Sequence, residues 1–318
     1  MVADPRIPVT VVTGFLGAGK TTLVNGWLEG VQRGDVAVIV NEHGDVGIDG
    51  ELLSARVEVL LQITGGCVCC TTQAELVGAL QRLARSASRP KRILVETSGA
   101  ASPSGVLAAI ARGGQGGVAL DGVITVVDAL RVDSLAEHEL AFEQLGYADV
   151  VVLSRADTCG AVELAHAAAV VAQRSGAAVL VHAAHGKVVA PAADSLDALL
   201  QLRSGDLPAR SLPTSGKAHV YQSVSLSLDG DVDGERFADF VESDLAGVGG
   251  RIFRTKGILG LLGVDERMIV QGVADSVEVT FGAAWNGAPR TSRLVVVGFG
   301  LDGAALAKAF AACAATPA

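Results

Sequence analysis

From residue 7 the chain alternates short runs of apolar, mostly β-branched residues with longer stretches of helical periodicity, and it keeps this rhythm to about residue 205. Residues 7–13 (IPVTVVT) read as a strand, followed by a glycine-rich turn and a helix over about 20–29. Further strands are predicted at 36–40, 57–63, 92–96, 123–128, 150–153 and 179–182, and helices at 73–85, 103–111 and 161–174. Apolar strands separated by helices predict a mostly parallel sheet covered on both faces. The stretch GDLPARSLPTSG then breaks the pattern with Pro, Gly and Ser, the composition of a linker. Beyond it, residues 219–228 alternate with period two, as a half-buried strand does. A helix at about 234–245, strands at 251–255, 268–271, 276–281 and 293–297, and a closing helix at 303–312 complete a smaller α+β unit. The expected division is 1–205, a linker at 206–217, and 218–318.

Composition narrows the function. The 318 residues are half apolar and include 39 glycines, which suits a two-core α/β protein and excludes a disordered chain. A net charge of −9 offers no basic excess to replace phosphate counterions, so general nucleic-acid binding is not expected. Apolar runs such as 118–127 are interrupted by Asp or Gly and are too short to span a bilayer, so no membrane partner is expected. The start, MVADPRIPVTVV, lacks a basic region followed by a long apolar run, and a cytoplasmic location is expected. Of five cysteines, three cluster as Cys67, Cys69 and Cys70. In a reducing compartment such a cluster reads as a metal or redox site rather than a disulfide framework.

Gly14-Phe-Leu-Gly-Ala-Gly-Lys20-Thr21 fits G-x-x-x-x-G-K-[ST] and lies between a strand and a helix, the context that gives the motif its meaning. Gly14, Gly17 and Gly19, with Ala18 between, let backbone N–H groups curl round a phosphate. The helix N-terminus adds its positive end. Lys20 neutralises β/γ-phosphate charge and the Thr21 hydroxyl is a hard ligand for Mg²⁺. Glu96 ends an apolar strand, where a carboxylate needs a cation or hydrogen bonds, so it is expected to serve the Mg²⁺ shell or orient the attacking water. Gly99 can offer its N–H to the γ-phosphate and sense hydrolysis. The chain is therefore expected to be a P-loop nucleoside triphosphatase.

Ser154-Arg155-Ala156-Asp157 follows the strand at 150–153. A carboxylate there can accept hydrogen bonds from guanine N1–H and its 2-amino group, a pair that adenine lacks. Arg155 can stack on the purine. An ordinary loop with a helix-capping Asp is the competing reading. The cysteines occupy a glycine-rich loop before a helix N-terminus, which favours thiolates, and soft sulfur selects Zn²⁺ or Co²⁺ over Mg²⁺. Glu42 or His43 is placed to complete the shell, or Asp45 to meet nucleotide or Mg²⁺, with a solvated acidic loop as the alternative. His182 and His185 could also be ligands, but they are expected after the last strand of the first domain, near where a purine base would lie, and read as loop residues there. Cys159 and Cys313 read as core residues.

With these residues in place, the sequence resembles the CobW-like metallochaperone GTPases. The matching segments are GFLGAGKTT (14–22), NEHGDVGIDG (41–50), GCVCC (66–70), ETSGAASP (96–103), RTKGIL (254–259), QGV (271–273) and the strand–Gly–helix ending at 293–312. The resemblance implies an α/β P-loop GTPase domain with a doubly covered, mostly parallel sheet and a small C-terminal α+β domain. It implies GTP and GDP as ligands and delivery of Zn²⁺ or Co²⁺ to a client metalloprotein. Gly14, Gly17, Gly19, Lys20, Thr21 and Thr22 carry over as phosphate and Mg²⁺ contacts, and Glu42, Cys67, Cys69 and Cys70 as the transition-metal site. Two departures stand out: Ser154-Arg155 replaces the usual Asn-Lys pair, and the His-rich tract of many relatives is missing. With no arginine finger evident in the first domain, turnover is expected to need a client or a second protomer in a homodimer. The competing functions are a metal-independent P-loop NTPase, or a protein-assembly factor, in which the cysteines are structural.

Overall fold

All residues of β1 (Ile7–Thr13) except the half-buried Pro8 are buried. A strand apolar on both sides belongs inside a sheet covered on both faces. The computed structural model describes residues 6–29, 31–32, 34–42, 60–64, 71–113, 117–175, 178–190, 196–201, 221–245, 247, 250–273 and 276–315, and places β1 there. It is joined by β2 (Val36–Glu42), β3 (Leu60–Thr64), β4 (Arg92–Thr97), β5 (Val118–Asp128), β6 (Val150–Ser154), β7 (Val179–Ala184) and β8 (Lys187–Ala190), in the order β3-β2-β4-β1-β5-β6-β7-β8. Every pair is parallel except the β7–β8 hairpin.

The crossovers are α1 (Lys20–Leu28), α2 (Thr71–Arg85), α3 (Ser104–Gly113), α4 (Glu139–Gly146) and α5 (Ala161–Ala172), and α6 (Leu196–Gln201) follows the last strand. A 3₁₀ stretch, Ala129–Glu137, precedes α4 and kinks at Arg131. Successive side chains of a strand point to opposite faces, and β6 shows the result. Val150 and Val152 join Leu23, Val24 and Leu28 of α1 and Leu199 of α6 in one core layer. Val151 and Leu153 join Ala141 and Leu145 of α4 and Ala167 and Val171 of α5 in the other. Among the described residues no helix is long and apolar enough to cross a membrane.

In a parallel sheet all the C-terminal strand ends emerge along one edge. Val12 of β1 pairs with Glu96 of β4, Asn41 of β2 with Thr97, and Glu42 with Thr64 of β3. Loops that follow β1, β4, β2 and β3 therefore start side by side.

The chain divides into two compact units, Asp4–Leu207 and Pro208–Ala318. In the second, β9 (Tyr221–Asp229), β11 (Arg251–Leu261), β12 (Glu266–Val273), β13 (Ser276–Ala284) and β14 (Thr291–Phe299) form an antiparallel sheet, ordered β13-β12-β11-β14-β9, and the short β10 (Asp231–Val232) pairs with β11. The helix α7 (Gly234–Asp239) runs into a π-helical turn, Phe240–Leu245, and with α8 (Gly303–Ala312) covers one face. Phe237, Phe240, Leu306 and Phe310 pack there on Leu226, Leu259, Val270 and Val296. Cys313 belongs to this core, and burial pushes its thiol up to about 11.

Some elements differ from the sequence reading. The strand expected at 251–255 continues to Leu261, because Gly257 and Gly260 do not break it: Gly257 makes room for Leu294 of β14. The short β8, β10 and α6, the 3₁₀ stretch and α4 were not foreseen, being too short or too irregular to carry a period. His182 lies within β7, paired with Leu153, rather than in the loop beyond it. The linker expected at 206–217 falls outside the described residues, as do 57–59 of the expected third strand.

Candidate functional site: a phosphate cradle at the sheet edge

At the end of β1 the chain turns at Gly14 (φ 139), where a Cβ would overlap the Val126 carbonyl of β5. Gly17 (φ 73) and Gly19 (φ 97) also adopt backbone conformations that side chains resist, and Gly19 is the N-cap of α1. No side chain caps this helix and no acidic residue stands in its first turn, so its leading N–H groups are aimed at an anion from outside. Lys20 is buried, and its Nζ donates to the carbonyls of Gly14 at 3.0 Å and Phe15 at 3.3 Å. Thr21 Oγ1 donates to Glu96 Oε1 at 2.6 Å. Glu96 is only 2% exposed, and the neighbouring Thr97 donates to Thr13 of β1 at 2.8 Å. The hydroxyl and carboxylate together are a hard-oxygen donor pair of the kind that suits Mg²⁺.

Gly99 brings the loop after β4 onto the cradle: a Cβ on it would lie 2.7 Å from Leu16 N and 2.9 Å from Lys20 Nζ. The far side of this loop is fastened to α4. Gln144 Nε2 donates to Ala101 O at 3.1 Å, and Ser102 Oγ donates to Glu143 at 2.5 Å. A cavity of about 250 Å³ lies beside the cradle, lined by Phe15, Leu16, Asp128, Arg131, His138 and Gln144 among others, with Phe15 and His138 stacked at 4.5 Å.

Ser154, at the end of β6, donates to Ala18 O at 2.7 Å and so ties the cradle from the other side. Arg155, at φ 57, places Nη1 3.0 Å from Asp128 Oδ2 and donates from Nη2 to Gly17 O at 3.4 Å. Its guanidinium thus serves a carboxylate that is 6% exposed, where an uncompensated charge is costly. Asp157 lies two residues on, 29% exposed, with His185 Nε2 3.1 Å from its Oδ2. It does not cap α5, whose N-cap is Gly160. Thr22 is exposed in the first turn of α1.

Sequence reasoning passed over Asp128, which ends β5 as Glu96 nearly ends β4, and the same argument about strand-end carboxylates would have found it. It also passed over Arg131, whose Nη1 comes within 3.9 Å of where a Cβ on Gly17 would be; a kinked 3₁₀ stretch gives no periodic signal. Cys159 is only partly buried, packed against the core layer of α4 and α5, and desolvation, then the Glu163, Asp128 and Asp157 carboxylates, push its thiol up. The Glu42 side chain and Cys67, Cys69 and Cys70 lie outside the described residues, as do His43 and Asp45. Among the described residues no three His, Cys, Asp or Glu side chains converge on a metal-sized site.

Comparison with known proteins gives the following. Residues 8–181 match the CobW/HypB/UreG nucleotide-binding domain, and residues 221–314 match the cobalamin synthesis protein cobW C-terminal domain. The zinc chaperone CobW of Sinorhizobium sp is 31% identical, over 96% of this chain and 97% of that protein. The zinc chaperone CobW of Pseudomonas aeruginosa is 33% identical, over 95% and 90%. The Zn(II)-bound YjiA GTPase from E. coli shares the fold, with a TM-score of 0.66 over 98% of this chain and 99% of that one at 24% identity.

Proposed function

Because the chain belongs to the CobW/HypB/UreG family of nucleotide-binding proteins and carries the CobW C-terminal domain, we propose that it loads zinc at Cys67, Cys69 and Cys70 and releases it to a client metalloprotein as GTP turns over. It is a P-loop GTPase of the zinc-chaperone family. The observation that carries the proposal is the strand order β3-β2-β4-β1, all parallel. The last described residue before the cysteines, Thr64, ends β3 three strand spacings from β1 and its cradle, or about 14 Å. The two strands between them end in Glu42 and Glu96–Thr97. Glu42 is one strand away from Thr64, which supports it as a further ligand beside the thiolates.

In the proposed cycle, α1 N–H groups and Lys20 hold the β- and γ-phosphates, and the Gly99 N–H meets the γ-phosphate from the β4 side. Thr21 and Glu96 would hold Mg²⁺, which supplies charge neutralisation on the transferring phosphoryl group when bound. Asp157 reads the guanine edge, while Ser154 and Arg155 keep the cradle fixed against β6. Loss of the γ-phosphate removes the contact at Gly99 and lets the loop after β4 relax, and the neighbouring ends of β2 and β3 with it. Thiolate ligands suit Zn²⁺ and Co²⁺ alike; the zinc chaperones that the chain resembles favour zinc.

Metal analysis of protein purified under reducing conditions tests the loading site. Wild-type protein is expected to carry about one Zn²⁺ per chain. The Cys67→Ser/Cys69→Ser/Cys70→Ser variant is expected to carry none while keeping its GTPase activity. A variant that retains zinc, or a wild type that takes none up, overturns the proposal.

A further inference from the structure

The turn between β7 and β8 is made by two residues in the left-handed region, His185 (φ 48) and Gly186 (φ 79). Glycine is required at the second, where a Cβ would overlap the Thr22 carbonyl of α1. At the first, Asn, Asp and His are the non-glycine residues that adopt the left-handed region most readily. Packing does not explain the histidine, because its side chain is 87% exposed. The turn therefore presents an exposed imidazole from a fixed position.

The imidazole meets Asp157, with Nε2 3.1 Å from Oδ2. Facing a carboxylate, Nε2 must be the protonated nitrogen, whichever state Nδ1 is in. The neighbouring charges are engaged elsewhere. Lys187 pairs with Glu29 at 3.1 Å, and Arg155 pairs with Asp128 at 3.0 Å. The turn is also fixed relative to the cradle, since a Cβ on Gly26 of α1 would overlap the Gly186 carbonyl. The helix that opens at the phosphate site therefore carries, in its first and second turns, the seat of the turn that presents His185.

We propose that His185 is the positioning residue of base recognition: it holds one oxygen of Asp157 so that the carboxylate presents its remaining lone pairs to the guanine edge. This rests on the reading of Asp157 as the guanine acceptor. A carboxylate oxygen accepts more than one hydrogen bond, so the imidazole fixes the rotamer without using up the acceptor. Without it, an Asp that is 29% exposed rotates among solvated rotamers and must be ordered by the nucleotide itself.

The test uses the full chain with GTP, ATP and xanthosine triphosphate, and three variants. His185→Gly suits the left-handed backbone and removes the donor. His185→Asn suits the same backbone and keeps an N–H donor. Asp157→Asn replaces the acceptor itself. For His185→Gly the KM for GTP is expected to rise about two- to fivefold with kcat unchanged and the KM for ATP unmoved, the scale of losing one exposed ion-pair contact. His185→Asn is expected to recover most of the difference, and Asp157→Asn to exchange the preference for GTP for one for xanthosine triphosphate. If Asp157→Asn shifts the preference but His185→Gly leaves the GTP-to-ATP ratio as it was, or lowers kcat with both nucleotides alike, the assignment of His185 is wrong and the base reading stands. If Asp157→Asn leaves the preference unmoved, the base reading fails and takes this inference with it.

Discussion

Thr21 and Glu96 are 75 residues apart in sequence and meet at 2.6 Å. Glu96 is buried, and what stabilises its charge is the group it faces, so the hydroxyl and any cation beside it are its solvent. Thr21→Ala and Glu96→Gln are each expected to lower kcat for GTP by about 100-fold or more, the scale of losing one charge-stabilising group at a reacting phosphate. Phosphate release under saturating GTP measures it, and turnover within a factor of two of wild type would remove both residues from the site. These two were legible because a motif and a strand end single them out. Asp128 was equally legible in principle. His185 and Arg131 were not: the role of each depends on a turn or a kink whose direction no local pattern encodes, and on partners 28 and 3 residues away that only the fold brings round.

The strands were readable as elements because parallel, doubly covered strands are apolar throughout, and β1, β4 and β6 begin within a residue of their expected starts. The antiparallel hairpin partner β8 was not, since four residues at a sheet edge carry little pattern. Helix α1 shows how a close approach reverses an ordinary preference. An interior Gly→Ala change in a helix normally gains about 1 kcal/mol. At Gly26 the added methyl would overlap the Gly186 carbonyl, and overpacking of this kind costs about 1–3 kcal/mol. Gly26→Ala is therefore expected to lower the melting temperature by a few degrees and to weaken GTP binding, because the displaced turn carries His185. Thermal unfolding with and without GTP checks both effects, and a variant that melts higher than wild type would show that the turn does not press on α1 as described.

At the scale of the whole first unit, the proposed coupling of nucleotide to metal rests on one feature of the sheet: β1, β4, β2 and β3 end on the same edge, in that lateral order. Sequence alone singled out the phosphate cradle and a candidate cysteine site, because each has its own motif, but it could not place β3, which leads to the cysteines, relative to β1. Chain order places β2 and β3 before β4, whereas the sheet inserts β4 between β1 and β2. Glu96, on β4, thereby lies between the cradle and the end of β3 rather than beyond it. For zinc to pass from mostly bound to mostly free, the two nucleotide states must differ by about 5.5 kcal/mol in metal binding. The most direct measurement is the Zn²⁺ affinity of the full-length protein, by chelator competition, with a non-hydrolysable GTP analogue and again with GDP. Tighter binding with the analogue is predicted, approaching about 10⁴-fold if release is complete; the same affinity in both states would contradict the coupling.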